Sequence, residues 1–148
     1  MLLIPNRHFA NQSGFTLIEI VVAIAIVGIL ASIAIANYQV QVRRTHFASV
    51  YQTLNQFRLP YQVMIDEGAG VTGFSPNGLN ISAQTEYCQF SVTSPNVNGI
   101  TDDAVVCQIQ NLAYIQGEKL SLDRAADGSW HCRASSGISR NYLPIDCQ

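Results

Sequence analysis

Charge is the scarcest property of this sequence. Asp, Glu, Lys and Arg together make up 12% of its 148 residues, about half the share of an ordinary soluble domain. The net charge is −2 and the pI about 5.8, so no overall field draws the chain to nucleic acid, and such a contact would need a local patch. Cysteine is absent from the N-terminal half: all four, Cys88, Cys107, Cys132 and Cys147, lie in the C-terminal half. No two of them are close enough for the usual paired zinc ligands, which stand two to four residues apart, and His131 beside Cys132 is the only adjacent ligand pair. An even number of well-separated cysteines fits two disulfides in an oxidising compartment, and no metal or other cofactor is expected. Catalytic signatures are missing too. There is no G-x-S-x-G elbow, no phosphate-binding Walker loop, no H-E-x-x-H helix and no EF-hand loop. Asp102, Asp103, Asp123 and Asp127 read as solvated turn carboxylates. His46 and His131 are lone histidines that read as structural, and Trp130 as a core or loop anchor. These absences point away from an enzyme. No internal repeat or low-complexity block is present.

What the chain does have is one long apolar run, "GFTLIEIVVAIAIVGILASIAIA". Residues 15–36 are apolar except for Thr16, Glu19 and Ser32, long enough to cross a bilayer as a helix, which takes about 20 residues. A polar leader, residues 1–14, precedes it with Arg7; Arg43 and Arg44 follow it. A cleaved secretory signal is the competing reading, because Ala34-Ile35-Ala36 resembles its cleavage site. Two features oppose that reading. The run exceeds the usual apolar core of a signal peptide, and it contains Glu19, a charge that is costly in a membrane and so marks function.

Helical spacing continues through residues 37–67. Phe47, Val50 or Tyr51, Leu54, Phe57, Tyr61 and Met64 form one apolar stripe among polar neighbours. The pattern predicts a single helix over residues 15–67, apolar all round in its first half and amphipathic in its second. Pro60 is expected to bend it or break its hydrogen bonding, and Gly68 and Gly70 to end it. The rest, residues 68–148, opens on a Gly/Ser/Asn/Pro-rich loop. Four short strand-like runs follow, over 86–92, 104–109, 119–124 and 129–134, and "AADG" makes a hairpin turn before the last. The final residues have no period and read as a loop. The expected fold is α+β: a long N-terminal helix whose amphipathic half covers a roughly four-stranded antiparallel sheet, with a disulfide-closed C-terminal loop.

The junction Gly14-Phe15, with Glu19 fifth counting from Phe15 and an unbroken apolar run behind it, resembles the N-terminus of a type IV prepilin. The remaining architecture agrees with that family, and Trp130, Cys132, Pro144 and Cys147 sit where its members carry a C-terminal disulfide region. The resemblance implies that a prepilin peptidase cuts between Gly14 and Phe15 and methylates the new Phe15 amine. It implies a structural subunit that resides in the inner membrane of a Gram-negative bacterium and is then built, by an inner-membrane assembly platform, into an extracellular homopolymeric fibre used for adhesion, twitching motility or DNA uptake. Within the fibre, Glu19 of one subunit would neutralise the Phe15 amine of another. Two departures are visible: the leader is long for the class, and Ala36 stands where many members have proline.

Four cysteines allow three pairings. Neighbouring strands favour Cys88 with Cys107, and Cys132 with Cys147 would pin the tail. Lys119, Arg124, Arg133 and Arg140, with Trp130 and His131 between them, are the candidate contacts to DNA. Asp123, Asp127 and Asp146 intersperse them, so a mixed-charge surface is the favoured reading. The alternative functions are a minor or competence pilin that binds DNA or primes assembly, and a type II secretion pseudopilin.

Overall fold

The computed structural model describes residues 14–68 and 73–148. The expected leader up to Ser13 and the Gly70 stop signal lie outside the described residues. The chain divides into two compact units, one ending at Tyr38 and the other being Gln39–Gln148.

Helix α1 spans Leu17–Asn55. Up to Tyr38 it buries none of its large apolar side chains; Leu17 is 82% exposed and Ile29 65%. Beyond that point the predicted stripe turns inward, and Phe47, Val50 and Leu54 are buried. Tyr51, the alternative at the Val50 position, packs only partly against the core. Helix α2, Arg58–Asp66, follows directly, so the single helix expected over 15–67 is two. The break lies ahead of Pro60, at Gln56 and Phe57. There the amides of Gln56 and Phe57 bond three residues back, to Thr53 and Leu54, at 3.2 and 3.1 Å. Proline is the third residue of α2, where its missing N–H is one that a helix start leaves unpaired anyway. Gly68, at φ 70°, donates its amide to Ile65 O and closes α2.

Four strands form one antiparallel meander in the order β1-β2-β3-β4: β1 Cys88–Val92, β2 Thr101–Ile109, β3 Lys119–Arg124 and β4 Trp130–Ala134. β1 alternates as expected, with Cys88 and Phe90 buried and Gln89 and Ser91 exposed. β2 begins three residues earlier than the sequence suggested, at Thr101. Asp102 and Asp103 are therefore strand residues, not turn residues. The reason is a bulge: Thr101 pairs with Arg124 but Val105 with Leu122, so three residues of β2 face Asp123 alone. Asp103 takes φ 51° there. The β3–β4 turn closes where expected, with Gly128 at φ 85° and the Ala125 amide bonded to Ser129 O at 2.9 Å.

Within Gln39–Gln148 the helical stripe covers the sheet. Phe57 packs on Phe90 of β1 at 4.9 Å between ring centres. Tyr61 meets Phe74 edge-on at 4.8 Å and Trp130 at 5.3 Å, which makes Trp130 part of the core wall. The tail is not plain loop but holds two short 3₁₀ turns, Arg140–Tyr142 and Ile145–Cys147.

Candidate functional site

Three places carry the residues singled out above: the helix start, the disulfides and the basic side chains of the C-terminal third.

At the helix start, Thr16 caps α1 and Glu19 is the third residue inside it. The Thr16 hydroxyl accepts the Glu19 amide at 3.3 Å, and Glu19 Oε2 accepts the Thr16 amide at 3.2 Å. The same hydroxyl donates to Oε2 at 3.2 Å. This is a reciprocal capping box, in which each side chain satisfies the other's otherwise unpaired backbone donor. The carboxylate also lies at the positive end of the helix dipole. The box is legible in the sequence as Thr-x-x-Glu before an apolar run. Both bonds to the carboxylate use Oε2, and Oε1 takes part in neither. Phe15 is 79% exposed. At Gly14 an added Cβ would meet nothing within 4 Å among the described residues. No contact described there requires glycine at that position.

The cysteines pair as Cys88–Cys107 and Cys132–Cys147. With Cys132 bonded to Cys147, the zinc alternative beside His131 loses its thiolate. The first bond crosses β1 and β2, and Cys88 and Cys107 are both buried. The second ties the tail to β4. Several polar contacts hold that tail to α1. Arg43 donates to the Tyr142 hydroxyl at 3.3 Å, Arg44 Nε to Asn141 O at 3.0 Å, and the Tyr51 hydroxyl to Asp146 Oδ2 at 2.8 Å. Arg43 also lies over the rings of Tyr114 and Tyr142. Ile138 and Leu143 bury themselves beneath the tail, whereas Ile145 is 86% exposed and anchors nothing in the isolated chain.

The candidate DNA contacts differ in their surroundings. Arg124 is buried. It donates to Gln62 Oε1 from Nε and Nη2, at 3.3 and 2.9 Å, and to Gly99 O from Nη1 at 2.8 Å, stitching α2 to the β1–β2 loop. Arg133 bridges Asp103 at 2.8 Å and Asp123 at 3.0 Å. The Asp123 hydrogen bond is the main cause that holds the Arg133 guanidinium above its usual range. Asp123 also accepts the Asp103 amide at 2.7 Å, so this cluster pins the bulge. Asp127 is held below the usual carboxylate range by hydrogen bonds from Ser129, first from its hydroxyl and then from its amide. It serves the hairpin. Lys119 and Arg140 remain on the surface. His46 is placed by Tyr114, its Nδ1 lying 3.2 Å from the hydroxyl, and by the Tyr87 ring at 5.1 Å. Among the described residues no cluster of three or more His, Cys, Asp or Glu is arranged to hold a metal ion.

Comparison with known proteins gives two family matches. The pattern described as Pilin (bacterial filament) covers residues 43–148. A second, the prokaryotic N-terminal methylation motif, covers residues 9–35. Fimbrial protein EcpC of Eikenella corrodens is 31% identical, over 93% of this chain and 91% of that protein. A probable minor fimbrial protein of Dichelobacter nodosus is 30% identical, over 93% and 96%. The type IV major fimbrial protein FimA of the same organism is 27% identical, again over 93% and 96%.

Proposed function

This chain belongs to the bacterial pilin family and is a structural subunit of a type IV pilus, and on that premise we propose how it is processed and assembled. A prepilin peptidase cuts between Gly14 and Phe15 and methylates the Phe15 amine. A glycine that no contact among the described residues requires supports a junction read by an enzyme. The mature helix then waits in the inner membrane of a Gram-negative cell until the assembly platform draws it into a fibre on the cell surface.

One observation carries the assembly step. An apolar helix whose most apolar stretch is 0% buried carries near its start a carboxylate that, among the described residues, is held by one oxygen only. So large an apolar surface is covered by lipid in the precursor and by other helices in the fibre. In that dry core Glu19 Oε1 receives the Phe15 amine of a neighbouring subunit. The attraction is strong because the surroundings are of low dielectric, and it sets the axial register because slipping leaves two unpaired charges. The role is structural, with no catalytic step assigned. Adhesion and twitching motility are the uses that fit. DNA contact gains no support from Arg124 and Arg133, both committed within the fold.

The intact mass of purified fibres tests the processing step. The expected mature chain starts at Phe15, carries one methyl group and contains two disulfides. A chain starting at Asn37 would favour the signal-peptide reading and overturn this one.

A further inference from the structure

Beyond the leader the sequence holds one Asn-x-Ser/Thr triplet, Asn80-Ile81-Ser82. Such a triplet, with no proline in the middle, is the acceptor form for N-linked sugars, and it is informative when it lies in a surface loop of an exported protein. The structure meets that condition in a specific way. Leu79 is buried at 4% exposure, and Ile81 packs against the same core. Asn80 and Ser82, on either side of Ile81, are both exposed. The two inward apolar side chains thus act as a footing that turns the amide and the hydroxyl outward.

The loop is also firmly shaped. Asn80 N–H bonds to Asn77 O at 3.0 Å and Ile81 N–H to Pro76 O at 2.9 Å. Asn80 takes φ 56°, a left-handed conformation that asparagine tolerates better than most residues. The side-chain bonds of this loop join Gly78 to Ser75 and Ser82 to Gln84; among the described residues none engages the Asn80 amide. The Ser82 hydroxyl donates to Gln84 O at 2.7 Å and accepts the Gln84 amide at 3.4 Å, local bonds that it must give up to be read by a transferase.

We propose that Asn80 is an acceptor for an N-linked glycan. Asn80 Nδ2 attacks the anomeric carbon of a lipid-linked glycosyl pyrophosphate. The new N–C bond forms as the C–O bond to phosphate breaks, the phosphate leaves with the electron pair, and one amide proton passes to a base of the transferase. No oxidant or reductant is involved. The proposal rests on the export reading above, since the loop must reach a glycan donor on the outer side of the membrane.

The test is the mass of fibres sheared from the source cells, followed by peptide mapping. The processed, two-disulfide chain should carry one glycan mass, located on the peptide that contains Asn80. Ser82→Ala should abolish it and Ser82→Thr should retain it, in fibres of normal yield. Asn80→Gln should also abolish it, but glutamine is strained at φ 56°, so the serine pair is the decisive comparison. A processed chain of unmodified mass would overturn the glycan proposal and leave the export reading intact. A chain still carrying its leader would overturn both. The second triplet, Asn11-Gln12-Ser13, lies in the leader and is absent from the processed chain.

Discussion

Glu19 shows how one side chain serves two states. In the isolated chain its Oε2 completes the cap with Thr16; in the assembly proposed above its Oε1 receives a neighbour's amine. The substitution Glu19→Val separates these roles. It removes a charge that costs about 2.5–3.5 kcal/mol at a bilayer centre, less near the interface, so membrane insertion should be at least as good as in the parent. Cleavage after Gly14 should largely persist, because the peptidase reads the junction. Assembly should fail, because breaking a buried pair by removing one member costs about 3–5 kcal/mol, repeated at every subunit. Thr16→Val supplies the control. It removes the cap hydroxyl, worth about 1 kcal/mol, yet leaves the carboxylate, so it should lower fibre yield far less. Shear preparations beside membrane immunoblots read both. Normal fibre yield from the valine variant at position 19 would dismiss Glu19 as the counter-charge.

The C-terminal tail is an element held from two sides, by Cys132–Cys147 and by the α1 contacts to Tyr142, Asn141 and Asp146. Closing a loop with a sequence separation of 15 stabilises by about 3 kcal/mol in the chain-entropy description. The helix contacts are exposed or half-exposed, and each is worth about 1 kcal/mol or less. Cys147→Ser should therefore make the chain protease-sensitive from about Ala134 onward while the first disulfide and the sheet survive. Mapping of early cleavage sites checks this, and an uncut tail would mean that the helix contacts suffice without the bond. The elements also show what sequence pattern can and cannot reveal. The stripe Phe47, Leu54, Phe57, Tyr61 was legible because burial repeats with the helical period, and β3 because Leu120 and Leu122 alternate on a covered face. The start of β2 was not, because Asp102 and Asp103 are poor strand formers; they are tolerated there by a bulge and by Arg133, which comes from a strand two places away in the sheet. The break at Gln56 and Phe57 was visible only as its cause, Pro60. At the helix start the lone carboxylate stood out because charge is rare in the run. Its partner Thr16 did not, since a hydroxyl in a helix start is ordinary.

At the scale of the whole molecule the described residues consist of a segment that buries no core of its own and a domain that has one. Every residue of the buried cluster, from Phe47 to Cys147, lies within Gln39–Gln148, and both disulfides close inside it. A chain beginning at Gln39 should therefore fold as a monodisperse monomer without detergent. The mature chain, with its apolar helix uncovered, should need detergent or polymerise. Light scattering of the two side by side decides the point, and aggregation of the shorter chain would show that the domain does not fold without the residues before Gln39. Tyr61, which is fully buried and donates to Thr93 O at 2.7 Å, contributes to the alkaline pH dependence of the shorter chain. Burial raises its phenol above the usual value, outweighing the lowering influences of Thr101 and Arg124. In the unfolded chain the same group ionises near pH 10. The folded state thus keeps its full advantage below about pH 10 and loses it as the pH climbs toward the raised folded value, because only the unfolded chain gains from ionising in that window. The thermal midpoint should fall on that alkaline limb. Tyr61→Phe should flatten the limb while lowering stability at neutral pH by about 1 kcal/mol for the lost hydrogen bond. An alkaline limb as steep in the phenylalanine variant as in the parent would exclude Tyr61 as its source.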